Sequence, residues 1–268
     1  MTFERIASSH EDMDDHYPVV VIGSGYGASV AASRVARAGQ RVAVFERGRE
    51  ILPGDYPDTL LEAARETQVD SRRGHMGDRS SLFSFHVGDD ISVLSGVGLG
   101  GTSLINAGVA LAADPRVFDE GWPQALKDDV DHGLAAGIDR ARFMLGTNPL
   151  VAETGSPAKY AALERVGTAL GHHVTRAPLN VTLTATRNPA GVEQPGCSGC
   201  GDCVTGCNEG AKNTLLMNYL PDAVRHGAQI FTELDVRHLE RHPDHWAITV
   251  RPIGSDRDQY DHADDFIV

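Results

Sequence analysis

The sequence predicts an α/β fold in which helices cover a parallel β-sheet, and three observations carry this prediction. A β-branched run from Val19 to Ile22 leads directly into a glycine-rich turn. Small apolar residues then repeat at helical spacing from Ala28 to Val35. A second apolar run, Arg41 to Phe45, ends in the acid Glu46. Strand, turn, helix, strand and acid in this order are typical of a Rossmann-like dinucleotide-binding unit.

The turn after the first strand has the glycine pattern that binds a pyrophosphate. Gly23 makes the tight turn, Gly25 leaves room for the backbone to approach the phosphates, and Ala28 allows close packing of helix on strand. Tyr26 and Gly27 fill the gap between them. The helix that follows presents free N–H groups and a positive dipole end, which favour an anion. The alternative is a strand–helix turn that binds nothing.

Glu46 narrows the choice of dinucleotide. An acid at the end of the second strand accepts hydrogen bonds from the hydroxyls of an adenosine ribose. A 2′-phosphate would be repelled there, so NADP is disfavoured. NAD and FAD share this fingerprint, and the first motif cannot separate them.

A second glycine cluster lies in the segment from Asp89 to Ala112, which reads DDISVLSGVGLGGTSLINAGVALA. Four glycines between Gly96 and Gly101 indicate a backbone that lies against something flat or tight. A glycine-rich hairpin loop is the alternative. Two such clusters in one chain favour a shared ligand.

The second cluster resembles the flavin-contacting segment of the glucose-methanol-choline (GMC) oxidoreductases, which implies FAD as the cofactor. By this resemblance, the residues along the flavin and its ribityl-pyrophosphate arm are Gly100, Gly101, Thr102, Asn106 and Gly108. The residues that hold the adenosine half are Gly23, Gly25, Ala28 and Glu46. The segment from Cys197 to Ile230 resembles the bacterial cholesterol-oxidase-like branch, and the turn after it places Val236 at the adenine.

The resemblance also implies a reaction. A GMC-type enzyme oxidises an alcohol, here plausibly a sterol or another bulky secondary alcohol, by hydride transfer to the flavin, and oxygen or another acceptor then reoxidises it. The family's catalytic histidine lies in a C-terminal half that these 268 residues do not include. The chain is therefore expected to be an N-terminal half, and its catalytic residues are unknown. One alternative is a non-catalytic fragment or a subunit completed by a separate C-terminal half.

The cysteines form a separate cluster at Cys197, Cys200, Cys203 and Cys207. Their spacing matches the bacterial ferredoxin run for an iron–sulfur cluster, although Asn208 replaces the usual proline. Tetrahedral zinc, unligated thiols and a local disulfide remain open alternatives. An iron–sulfur centre would allow a further function, an electron-transfer flavoprotein.

The domain boundaries follow from these motifs. Residues 1–16 are expected to form a flexible tail, and residues 17–113 the first part of the FAD-binding domain, with an excursion at 51–89 that contains one short helix. Residues 114–191 are assigned to an α+β substrate or cap region, with helices from Pro123 to Leu145 and from Ser156 to Leu170. Residues 192–268 continue the FAD-binding domain, which is truncated at its C-terminus.

The amino-acid composition limits which binding partners and which cellular locations are expected. Lys and Arg number 24 against 37 Asp and Glu, a formal charge of −13, so nucleic acid is an unfavourable partner. No secretory signal and no transmembrane segment are evident in the sequence. A cytoplasmic location is expected, because cysteines confined to one short segment are not a disulfide framework.

Overall fold

The structure is a computed structural model that describes residues 3–149, 157–253 and 266–267. The helices are α1 Tyr26–Arg37, α2 Leu60–Arg65, α3 Gln124–Lys127, α4 Ala135–Met144, α5 Ala158–Ala169 and α6 Tyr219–Arg225. The first strands are β1 Val19–Ile22, β2 Val42–Phe45, β3 Thr67–Ser71, β4 Gly74–Met76, β5 Phe83–Val87 and β6 Ser92–Gly96. The remaining strands are β7 Asn148–Pro149, β8 Pro178–Leu179, β9 Thr186–Arg187, β10 Glu193–Gln194, β11 Gln229–Phe231, β12 Leu234–Arg241, β13 Trp246–Pro252 and β14 Phe266–Ile267.

A three-stranded parallel sheet lies at the centre of the dinucleotide-binding unit. Its order is β1-β2-β11, so that β2 is the middle strand, and Val19 pairs with Val42 while Gln229 pairs with Ala43. Every residue of β2 is buried, because neighbouring strands flank it and helices cover it. The predicted α/β class and the predicted strand–helix–strand order are both confirmed.

Helices α1 and α6 pack against each other beside this sheet. Their contact is made of small residues, including Ala32, Ala36 and Ala223, which bring the two helix backbones close together. Within this contact the buried carboxylate of Asp222 accepts hydrogen bonds from Ser33 Oγ at 2.6 Å and from Arg37 Nε at 2.8 Å. The pair of helices therefore joins the start of the described chain to its last third.

The excursion at 51–89 is more regular than the sequence predicted. It contains the expected short helix α2, which begins with a capping box between Thr59 and Glu62. It also contains β3, β4 and β5, which join β6 in a four-stranded sheet of order β4-β3-β5-β6. The prediction of one helix alone was incomplete: β3 and β4 are short and lack a clean alternation, whereas the alternating run Phe83–Val87 of β5 was missed.

The region at 114–191 contains helices and two small antiparallel pairs, β7-β8 and β9-β10. The helix predicted from Pro123 to Leu145 is interrupted: a π-helical turn at Val130–Leu134 separates α3 from α4. At this turn the Asp129 carboxylate accepts from Gly133 N at 3.0 Å and breaks the regular helical ladder. The second predicted helix, from Ser156 to Leu170, corresponds to α5, whose N-cap is Pro157, and Ser156 lies outside the described residues.

The described chain ends in an antiparallel sheet of order β12-β13-β14. In β13 the buried Ile248 and Val250 alternate with more exposed neighbours, so the strand is half-buried. These side chains pack with Phe45 and Phe231 in a cluster beneath the parallel sheet. Among the described residues, no helix has the length and apolar character needed to cross a membrane.

Candidate functional site

The turn between β1 and α1 exposes its backbone, as the glycine pattern predicted. Gly23 has φ 82°, a conformation that favours glycine, and its N–H donates to Phe45 O at 2.7 Å. Gly25 is the N-cap of α1 and provides no side-chain cap. A Cβ built on Gly23, Gly25 or Gly27 meets no atom within 4 Å. At Gly25 and Gly27 neither backbone strain nor protein packing demands glycine, so the open space is available to a ligand.

Glu46 lies at the carboxyl end of β2 and is 7% exposed. Its Oε2 accepts from Ser24 N at 3.0 Å and from Ser24 Oγ at 2.6 Å, and its Oε1 accepts from Gly48 N at 2.7 Å. Burial raises the pKa of Glu46, and the hydrogen bonds from Ser24 and Gly48 oppose that shift. In this structure the acid holds the glycine turn in place. Sequence reasoning missed Ser24, because its hydroxyl acts only through residues distant in sequence.

The two glycine clusters are in direct contact. Gly100 N donates to Ser24 Oγ at 2.9 Å, which links the second cluster to the first turn. A Cβ built on Gly101, whose φ is 54°, would lie 3.2 Å from Gly25 Cα. The clusters are about 75 residues apart in sequence, yet one backbone rests on the other. A single extended ligand can therefore contact both.

The residues after the second cluster form a polar edge beside α1. Asn106 Nδ2 donates to the hydroxyl of Tyr26 at 2.8 Å, and Asn106 Oδ1 accepts from Gly108 N at 3.0 Å. Thr102 Oγ1 accepts from Gly96 N at 3.1 Å. Burial raises the pKa of Tyr26, and the hydrogen bond from Asn106 partly offsets this. The structure thus brings Tyr26 to the residues that the sequence placed along the flavin.

Two buried residues support the second cluster from behind, and the sequence analysis missed both. Ser103 Oγ donates to Gly100 O at 2.6 Å and accepts from Leu215 N at 3.1 Å. Lys212 Nζ donates to Leu104 O at 3.0 Å. Burial lowers the pKa of Lys212 to about 8. A lysine within a cysteine- and glycine-rich segment gives no periodic signal that would predict its burial.

Val236 lies on β12, opposite Val250 and beside the cluster that contains Phe45. The start of β12 is tied to the end of β2, because Leu234 N donates to Glu46 O at 3.0 Å. Val236 is therefore two residues along the strand from a direct contact with Glu46. Its predicted position at an adenine stays a prediction.

The structure describes all four cysteines of the predicted cluster. All four cysteines are free thiols, and Cys200 is exposed. Within the described ranges, which include all four, no group of three or more His, Cys, Asp or Glu residues is arranged to hold a metal ion. Cys197 Sγ accepts from Gly199 N at 3.3 Å, and the Cys203 thiol interacts electrostatically with Lys212 and with the other three thiols. The described residues thus give no support to an iron–sulfur or zinc site, and ligation by these cysteines stays a prediction from their spacing.

Fold and site together define an α/β dinucleotide-binding protein in which two glycine clusters meet at the end of a parallel sheet. Residues 19–268 match the family model for GMC oxidoreductases, and the chain therefore belongs to the GMC oxidoreductase family. The resemblance inferred from the glycine clusters is confirmed.

Curated relatives show the same relationship over part of their length. The chain is 33% identical over 258 residues to a cholesterol oxidase of Mycobacterium tuberculosis, covering 91% of this chain and 43% of the relative. It is 30% identical over 241 residues to a cholesterol oxidase of Acinetobacter baumannii, covering 82% and 40%. It is 26% identical over 238 residues to a long-chain-alcohol oxidase of Arabidopsis thaliana, covering 87% and 28%. The chain thus spans less than half the length of these relatives.

Among solved structures, a fungal aryl-alcohol oxidase matches with a TM-score of 0.52 and 16% sequence identity. The match covers 90% of this chain and 43% of that one. At this identity the match shows a shared fold and nothing about the substrate.

Proposed function

We propose that the chain binds FAD across the two glycine clusters and is the cofactor-binding part of an enzyme that oxidises an alcohol. The observation that carries this proposal is the contact between the clusters, where Gly101 lies against Gly25 and Gly100 N donates to Ser24. This contact creates one backbone surface from two motifs that each favour a nucleotide or flavin.

The first cluster fits the pyrophosphate of FAD. The first-turn N–H groups of α1 have no intrahelical partners, and Gly25 provides no side chain to cap them. The open space at Gly25 and Gly27 allows phosphate oxygens to reach these donors, and the helix dipole favours their negative charge. Glu46, at the end of β2, is assigned to the adenosine ribose and Val236 to the adenine. Hydrogen bonds from Ser24 and Gly48 leave the Glu46 carboxylate with unused acceptor capacity for a hydroxyl.

The second cluster is assigned to the flavin arm. Gly100, Gly101 and Thr102 form its tight turn, and Asn106 and Gly108 continue along the same edge. The hydrogen bond between Asn106 and Tyr26 joins this edge to the helix that holds the pyrophosphate. The chain's own residues would in this way bind FAD and orient its flavin ring.

Bound FAD would supply a two-electron acceptor for hydride from the carbinol carbon of an alcohol. The printed names of the relatives, cholesterol oxidase and long-chain-alcohol oxidase, support an alcohol substrate. We favour a sterol or another bulky secondary alcohol, since both bacterial relatives above are cholesterol oxidases. Oxygen or another acceptor would remove the electrons. The cytoplasmic location stays a prediction from cysteine usage.

A second candidate function is a cofactor-binding part that needs another polypeptide for catalysis. Two observations favour it: the chain spans 43% of the cholesterol oxidase it resembles, and apolar side chains are exposed on the four-stranded sheet. Phe85 and Leu94 pair across that sheet and are 38% and 45% exposed. Alcohol oxidation by these 268 residues alone would exclude this candidate.

The proposal is tested by titrating the purified chain with FAD and following the flavin fluorescence. Acid release and mass measurement identify any cofactor that is already bound. We expect FAD to bind, and Glu46→Gln to weaken binding about ten-fold or more, because the hydrogen bond to a ribose hydroxyl loses its charged acceptor.

Glu50→Gln is the matched control. Glu50 is also a buried carboxylate, and it accepts from Ile6 N at 2.8 Å and Ala7 N at 3.2 Å, outside both glycine clusters. It should leave FAD affinity unchanged. A folded chain that binds no FAD, or equal losses in the two variants, would refute the proposed site.

A further inference from the structure

The last part of the cysteine loop places two thiols beside one buried lysine. Cys203 and Cys207 are free and half-buried. Lys212 is 2% exposed, and its ammonium group interacts electrostatically with these two of the four thiols. Among the residues that the structure describes, no carboxylate forms an ion pair with Lys212. A buried cation without a counter-ion is costly, and a thiolate at Cys203 or Cys207 would relieve that cost.

Lys212 also connects this loop to the flavin-contacting segment. Its Nζ donates to Cys203 O at 2.7 Å and to Leu104 O at 3.0 Å. Leu104 closes the short 3-10 helix Gly101–Leu104, which begins in the second glycine cluster. A change in the position of Cys203 therefore reaches the proposed flavin arm through one side chain.

The two cysteines are held differently. Cys207 is followed by Asn208, whose side chain accepts from Gly54 N and Tyr56 N and donates to Tyr56 O. Cys203 instead lies in a short 3-10 helix, Asp202–Val204, that has no side-chain cap and no buried residue. If the two sulfur atoms were joined, the segment around Cys203 would move further than the anchored Cys207.

We propose that Cys203 and Cys207 form a reversible disulfide on exposure to hydrogen peroxide, and that Lys212 transmits this change to the Gly101–Leu104 turn. A thiolate attacks one peroxide oxygen, the O–O bond breaks, and a sulfenic acid and hydroxide form. The second thiol attacks the sulfenic sulfur, the S–S bond forms, the S–O bond breaks and water leaves. The hydroxide takes up the proton that the first thiol released, so the thiols lose two electrons in total and peroxide is reduced to two waters.

The source of the oxidant rests on the proposed function, because peroxide is the product when a reduced flavin passes two electrons to oxygen. Burial raises the pKa of the Cys203 thiol, and the nearby Lys212 cation opposes that shift only in part, so loss of the Lys212 charge would disfavour the thiolate further. Added peroxide tests the dithiol whether or not the chain produces any.

The test treats the reduced chain with hydrogen peroxide, alkylates the remaining thiols and maps the peptides by mass. We expect two alkylatable thiols to be lost, a link between Cys203 and Cys207, and full reversal by a dithiol reductant. Cys203→Ser and Cys207→Ser should each abolish the link. Cys200→Ser is the matched control, since Cys200 is exposed and the Lys212 cation interacts with Cys203 and Cys207 instead. A link between Cys197 and Cys200, or four thiols still alkylated, would overturn the proposal.

Two variants of Lys212 test whether its positive charge promotes disulfide formation. Lys212→Met keeps the length of the side chain without its charge and should slow disulfide formation about ten-fold, the effect of about 1.4 kcal/mol on thiolate stability. Lys212→Arg keeps a cation and should retain most of the rate of disulfide formation. If Lys212→Met does not fold, Lys212→Arg is measured in its place. An unchanged rate in a folded Lys212→Met protein would remove the lysine from the mechanism.

Hydrogen exchange of backbone amides measures whether oxidation of the cysteines alters the Gly101–Leu104 turn at the proposed flavin arm. The amides of Ile105 and Asn106 donate to Thr102 O at 3.2 and 3.0 Å, and we expect both to exchange faster in the oxidised chain. Oxidation should also weaken FAD binding. If neither redox state binds FAD, the proposed function fails while the disulfide and exchange results still decide this inference. Disulfide formation without any change in exchange would refute the transmission step.

Discussion

Replacing Gly25 by Ala separates cofactor binding from folding. Gly25 has φ −66° and ψ −175°, which an alanine adopts without strain, and an added Cβ meets no atom within 4 Å. Alanine is a poorer N-cap than glycine by about 0.5 kcal/mol or somewhat more. It also reduces the entropy of the unfolded chain, which stabilises the fold by about 0.4–1 kcal/mol. These two effects nearly cancel, so the unfolding free energy should change little.

The effect on FAD should be large. The new methyl group would occupy the space through which the pyrophosphate approaches the first turn of α1. Each hydrogen bond to a charged phosphate oxygen contributes about 1.5–3 kcal/mol. If one or two such bonds are lost, the binding free energy falls by about 3 kcal/mol, which weakens FAD binding about 100-fold. Flavin fluorescence titration measures this change, and circular dichroism during urea unfolding checks the fold.

Gly137→Ala is the matched control for Gly25→Ala. Gly137 lies within α4, outside both glycine clusters, and its built Cβ also meets no atom within 4 Å. Alanine there should stabilise the helix by up to about 1 kcal/mol and leave FAD affinity unchanged. The reasoning would be refuted if folded Gly25→Ala protein bound FAD as tightly as the parent chain, or if both variants weakened binding equally.

Three further predictions concern contacts that hold the site together. Gly101→Ala should lower the unfolding free energy by about 1–3 kcal/mol and should also weaken FAD binding, because φ is 54° and the new Cβ would press on Gly25 Cα at 3.2 Å. Parent-like values in urea unfolding and in the FAD titration would contradict the contact between the clusters. Asp222→Ala should destabilise the chain by about 2–3 kcal/mol in urea unfolding, since the buried Ser33 hydroxyl loses its acceptor while the partly exposed Arg37 turns to water. A loss below about 0.5 kcal/mol would contradict this role of Asp222. Burial alone would raise the pKa of Asp222, but hydrogen bonds from Arg37 and Ser33 outweigh it and lower that pKa. The ionised carboxylate therefore stabilises the fold above the pKa of about 4 that it has in the unfolded chain, and this stabilisation is lost as the pH falls. The difference in unfolding free energy between the parent and Asp222→Asn should shrink on acidification from about pH 6 to pH 3. A difference that stays constant over this range would argue against the hydrogen-bonded carboxylate.

Local patterns predicted the elements that carry the first cofactor motif. The strand predicted from Val19 to Ile22 is β1 as observed, and the predicted second strand differs from β2 by a single residue. These elements were predictable because burial on both faces requires continuous apolar runs, and glycine marks the turns that end them.

Elements that depend on distant partners were predicted less well. The strands β3 and β4 were missed because each is stabilised by its neighbours in the sheet and not by its own hydrophobic pattern, whereas β5 alternates apolar and polar residues and was predictable from the sequence. The helix predicted from Pro123 is interrupted because the Asp129 carboxylate competes for Gly133 N. The ferredoxin-like spacing of the cysteines predicted a metal site, which stays a prediction, because no group of three or more metal-ligating residues is found among the described residues.

The sequence by itself determined the α/β class, the two glycine clusters and the GMC family. The class and the glycine turns follow from short-range rules: which residues can turn, which can pack as a buried strand, and which spacing exposes a helix N-terminus. The family follows from the resemblance of the second glycine cluster. Only the tertiary structure decided that Gly101 rests on Gly25, that Ser24 links Glu46 to Gly100, and that Lys212 lies between the cysteine loop and the flavin arm. Such contacts join residues that are many positions apart, and their energy depends on burial and exact hydrogen-bond geometry, which residue order does not encode locally.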